Sequence, residues 1–177
     1  MTHAPTLTAE RTDLLSTLAL HRGFLRHTVR GLSDEQAVAR PTVSVLCPGG
    51  LIKHVMEMEH AWIRFVQGDD AGVGMPTTEE GMRAAQREHE QQFELLPGET
   101  LASVLARYDE VAAETERVIA AVPSLDTSYA LPAAPWFEPG ARWSVRRVLL
   151  HLIAETAQHA GHADIIRETI DGQKTMG

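Results

Sequence analysis

A chain of 177 residues suits one domain, residues 1–177, and can bury a hydrophobic core without staples. Hydrophobic residues make up 44% and charged residues 23%, the balance of a folded soluble protein rather than a disordered chain. The formal charge of -8 argues against nucleic acid as a partner, because a phosphate backbone is gripped by a basic surface.

The N-terminal stretch MTHAPTLTAERTDLL has no basic region followed by an apolar run, so no signal peptide is expected. Helical period begins near Thr8 and runs to about Gly31, with Leu14, Leu18, His21, Leu25 and Leu32 on one stripe. The run LSDEQ restarts a short turn, and Arg40-Pro41 breaks the chain. A second helix is predicted from Pro48, a residue suited to a first helical position, to Gly68-Asp69. Its apolar stripe is Leu51, Val55, Met58, Trp62 and Phe65, with His54 at the edge.

A polar connector follows from Gly68 to about Glu99, with a helical turn or more around Glu79 to Leu96. Its acidic part, Thr77 to Glu94, reads as a solvated surface. Thr100 is the N-cap expected for a third helix, whose stripe runs from Leu101 through Val104, Tyr108 and Val118 to a stop at Pro123. The proline-rich segment Ser124 to Arg142 reads as a loop, and no strand-like alternation stands out. Ser144 caps a fourth helix that ends at Asp171-Gly172, where glycine takes a left-handed cap.

The expected fold is therefore all-α, a four-helix bundle. The connector of about thirty residues between the second and third helices is long enough to cross the bundle, which allows an up-down-down-up order. No stretch approaches the roughly 18 apolar residues of a membrane span. Cys47 is the single cysteine, so no intramolecular disulfide forms and a reducing cytoplasm is expected. Its place before a helix could lower its thiol pKa, although a lone cysteine is more often a small packed residue.

The fourth helix holds the anomaly. At about 100° per residue, His151, Glu155, His159 and His162 fall within roughly 80° of one another, on the face of Val148, Leu152 and Ile166. A carboxylate buried there needs compensation, and a metal ion supplies it. The third ligand must come from another helix, and His54 leads the candidates. Two histidines and a glutamate would leave an open position, as in catalytic zinc sites. Nickel and iron accept the same donors. The spacing alone also fits a hydrogen-bonded interior pair or a solvated face. A di-metal centre is rejected: Glu57-x-x-His60 has the right spacing but lies opposite Leu51 and Val55, and Glu155-x-x-x-His159 has the wrong spacing.

The stretches GGLIKHVMEMEHAWI and WSVRRVLLHLIAETAQHAGHADIIRETIDG, separated by a long connector, resemble the DinB-like superfamily. The likeness is strongest to the branch of DUF664 proteins and mycothiol-dependent transferases, across nearly the whole chain. Many members use three histidines; Glu155 replaces one here, as in the related N-terminal domain of mycothiol-dependent maleylpyruvate isomerase. That enzyme's C-terminal domain is not recognised in this sequence, so isomerase activity is not expected.

The resemblance implies one divalent metal ion, zinc first, on His54, Glu155 and His159, with His162 behind the ligands or in the substrate pocket; His151, one turn before Glu155, could orient it or line that pocket, although such a histidine is more often hydrogen-bonded in the interior. It further implies a metal-dependent S-transferase in which a low-molecular-weight thiol, mycothiol, attacks an electrophilic small molecule. A non-catalytic metal-binding stress protein and a metal-dependent hydrolase are the alternatives. The amphipathic helices leave room for a homodimer. Trp62 and Tyr108 are expected to pack, and Arg146, Arg147 and Arg167 have no assigned role.

Overall fold

The computed structural model describes residues 7–69, 76 and 78–175. Parts of the N-terminal stretch and of the polar connector discussed above, including Thr77, lie outside the described residues. The elements are α1 (Ala9–His27), α2 (Asp34–Ala37), α3 (Pro48–Val66), α4 (Glu79–Gln92), α5 (Leu101–Ala121), β1 (Ser128–Ala130), β2 (Arg142–Ser144) and α6 (Val145–Asp171). No helix among the described residues is long and apolar enough to cross a membrane.

Local signals set most of the helix ends. Thr8, Thr100 and Ser144 each accept a backbone N–H of the first turn that has no intrahelical partner. Ser33 and Gln36 close a capping box on the single turn of α2. Pro48 opens α3, and Gly172, at φ +79°, closes α6.

Two expectations need correction. The segment between α5 and α6 is not only loop: β1 and β2 pair antiparallel, with Tyr129 opposite Trp143. Strands of three residues are too short to show alternation in sequence. The first helix stops at His27, and turns carry the chain on to Gly31, which sits at φ +75°.

Side-chain contacts fix the helix directions. Arg146 pairs with Glu10 and Arg167 reaches the Thr28 carbonyl, so α1 and α6 run the same way. Lys53 pairs with Glu99 and Glu59 meets Thr115, so α3 and α5 also run together. Arg11 bonds the Val122 carbonyl and Arg26 pairs with Asp109, which opposes α1 to α5.

The core forms two apolar clusters. One gathers Leu25, Leu51, Val55, Val104, Tyr108, Ala160 and Ile166. The other gathers Leu18, Trp62, Ile63, Ile119, Val148 and Leu152. Between them on α1, α3 and α5 lie Arg22, Glu59 and Thr115, all buried. Arg22 Nε donates to Glu59 Oε2 at 3.0 Å, and Thr115 Oγ1 donates to Glu59 Oε1 at 2.5 Å. The sequence offers no sign of this ion pair, because Glu59 is one of two acids on α3 and its partners lie on other helices. Arg167 is likewise structural: buried, it donates to the Thr28 and Arg30 carbonyls and to Asp171.

A candidate metal centre between three helices

The residues buried on α6 are Val145, Val148, Leu149, Leu152, Thr156, Ala160, Ala163, Ile166 and Arg167. That stripe passes through Thr156 and Ala160, one position beside Glu155 and His159. The expectation that Glu155 is buried therefore fails: its side chain is 30% exposed, against 12% for His159. Both residues flank the core stripe on the side turned toward His54 of α3. His54 itself is 9% exposed.

One ligand atom from each of His54, Glu155 and His159 lies within 4.8 Å of the others. His159 Nε2 and Glu155 Oε2 are 3.6 Å apart. Two donors each about 2.0 Å from a tetrahedral ion stand roughly 3.3 Å apart, so this pair needs little adjustment to share one. His54 Nδ1 is buried without a hydrogen-bond partner, an uncommon and costly state for a ring nitrogen. The three residues can thus hold a metal ion, and they are the one such group among the described residues. Glu57 and His60 do not join it; His60 is exposed.

Electrostatics favour neutral imidazoles here. Burial pushes the His54 pKa down to about 4, helped by the proximity of His159 and His89. Burial also lowers His159 and His151, with Glu155 opposing the shift in both. A neutral ring is the form that binds a cation.

The surroundings are ordered around these groups. His162 Nδ1 lies 3.5 Å from His159 Nδ1, behind the nitrogen that faces Glu155. His151 Nδ1 is 3.9 Å from Glu155 Oε1. The His151 ring lies edge-on to Trp62 and Trp143, at 5.1 Å from each, and the two indoles stack at 4.6 Å. Trp62 is therefore packed, as is the fully buried Tyr108. Arg147 lies over the Trp143 ring.

Sequence reasoning missed the contribution of α4. No residue of that helix is buried, in keeping with a solvated surface. Yet its His89 ring stands 6.2 Å from His54, and Phe93, just past its end, stacks on His54 at 4.0 Å. A lone phenylalanine in a long polar stretch was the available signal. Cys47 is buried, and burial raises its thiol pKa, so the reactive reading of that residue fails.

The comparisons agree with this architecture. A solved structure of a conserved protein from Enterococcus faecalis superposes with a TM-score of 0.64 at 14% identity, covering 95% of this chain and all of that one. At that identity the likeness speaks for the fold alone. No curated protein matches. The sequence profile of the mycothiol-S-transferase family matches residues 13–172, from the second turn of α1 to the cap of α6. The chain therefore belongs to the mycothiol-S-transferase family, a DinB-like family of all-α proteins.

Proposed function

We propose that the protein is a metal-dependent S-transferase that joins the sulfur of mycothiol to an electrophilic small molecule. The observation that carries this reading is the convergence of His54, Glu155 and His159 in a chain of this family. Two imidazoles and a carboxylate match the donor set of catalytic zinc sites, which keep a position open. Nickel and iron remain compatible with the same donors. A bound divalent cation would supply the charge that holds a thiol as its thiolate near neutral pH.

The chain's own residues then have separable tasks. His54 and His159 present neutral rings, and Glu155 brings the negative charge. His162, 3.5 Å behind His159, holds that ring in one tautomer. His151 bears on Glu155 from the other side and is itself held between the rings of Trp62 and Trp143. In the transfer the thiolate sulfur donates its electron pair to the electrophilic carbon, an S–C bond forms, and the leaving group departs with its own pair. The thiol proton is released to solvent.

The test is direct. Tag-free protein, loaded with zinc or stripped by chelator, is mixed with mycothiol and monobromobimane or a haloarene. Faster S-alkylation by the loaded protein than by the stripped one is expected. A rate equal to the uncatalysed reaction, across several metals and thiols, would remove the transferase reading. Simple esters run in parallel and cleaved without thiol would point to hydrolysis instead.

A further inference from the structure

The segment after α4 grips the N-terminal half of α3 at several points. The Phe93 carbonyl oxygen sits where a side chain on residue 50 would be: a Cβ built on Gly50 would meet it at 1.9 Å. The same Cβ on Gly49 would meet Leu95 Cδ1 at 2.9 Å. Only glycine lets the two backbones approach this closely. Lys53 then ties the segment down, donating from Nζ to the Glu94 carbonyl at 3.1 Å and pairing with Glu99 at 2.7 Å. Gly50 and Lys53 precede His54 by one turn and one residue. The clamp therefore ends at the metal centre.

What the clamp delivers is the ring of Phe93. It lies on the face of His54, 4.0 Å between centroids and 21° from parallel, and meets His89 edge-on at 5.3 Å on another side. A histidine that ligates a metal ordinarily has its second ring nitrogen fixed by a hydrogen bond, which sets tautomer and ring rotation. A face contact from a clamped aromatic ring restrains the same rotation by sterics, because turning the imidazole would drive its edge into Phe93.

We infer that Phe93 is a positioning residue of the metal centre, holding the His54 ring in its ligating orientation by stacking. This rests on the metal-centre reading above. The position is specific for a flat ring: leucine fills the space but presents no planar face.

The experiment compares wild type, Phe93→Leu and Phe93→Tyr. Zinc affinity is measured by chelator competition, the visible spectrum is recorded on the cobalt(II)-loaded protein, and thermal unfolding is followed without metal. Phe93→Leu should bind zinc about tenfold more weakly, the lower end of what removing an outer partner costs, and should shift the cobalt bands. Phe93→Tyr should restore both. A Leu variant with wild-type affinity and spectrum would overturn the inference while leaving the centre intact. So would a Tyr variant as impaired as the Leu variant, since the effect would then be general packing. Wild-type protein that binds neither metal would remove the metal-centre reading, and this inference with it.

Discussion

Among the polar groups that helix α3 buries are Glu59 and His54, five residues and roughly 140° apart around its axis. Glu59 faces α1 and α5, where Arg22 and Thr115 satisfy it completely within the protein. His54 faces α6 and the end of α4, where one of its nitrogens has no partner and a partly exposed carboxylate stands nearby. Burial alone does not distinguish the two, since Glu59 is the more buried. Satisfaction does. A closed network holds a fold together, whereas donors that converge without saturating one another leave capacity for a ligand.

The comparison breaks most readily at Glu59. Glu59→Ala strands the Arg22 guanidinium and should cost about 3–5 kcal/mol of stability, read from urea unfolding. Whatever remains folded should bind metal as wild type does, because His54 lies on another face of α3. A cost below about 1 kcal/mol would place the pair among weak surface bridges and undo the contrast.

Acid tests the open side. Unfolded His54 takes up a proton near pH 6.5, the folded residue only near pH 4. Between those values the unfolded chain binds more protons, so lowering the pH favours unfolding. The metal-free protein should lose on the order of 3 kcal/mol across that window, where His54, with smaller contributions from His159 and His151, stays neutral only when folded. His54→Gln should flatten the slope; a slope as steep as wild type would assign the acid sensitivity elsewhere.

Metal binding sharpens the same side. Changing an outer partner of a metal ligand costs up to about 100-fold, so His54→Ala should cost at least that in zinc affinity. Unchanged metal content in tag-free protein would take His54 out of the centre. The smallest effect concerns Cys47. Its buried, protonated thiol should react with iodoacetamide about tenfold or more slowly than in the urea-unfolded chain, because local opening limits access. Equal rates in the two states would show a thiol far more open than its packing indicates.

Periodicity and caps were legible in the sequence because they are local. Thr8, Pro48, Thr100, Ser144 and Gly172 act within one turn of themselves, and the helices end close to where these residues put them. The short hairpin escaped because three residues per strand carry no usable period. The site was partly legible. His151, Glu155, His159 and His162 announced a polar seam on α6, but the choice of His54 leaned on family resemblance, since helical phase places a residue only on its own helix. A phase error of one position also made Glu155 look buried; Thr156 occupies the core stripe in its place.

By itself, then, the sequence determined the helices, their ends, the polar seam of α6 and the family. Tertiary structure alone decided which polar groups close on one another and which stay open. Arg22, Glu59 and Thr115 lie on three helices and meet only through packing. Phe93 reaches His54 only because Gly50 admits its carbonyl. Such pairings depend on distances between segments far apart in the chain, and local propensity carries no record of those distances.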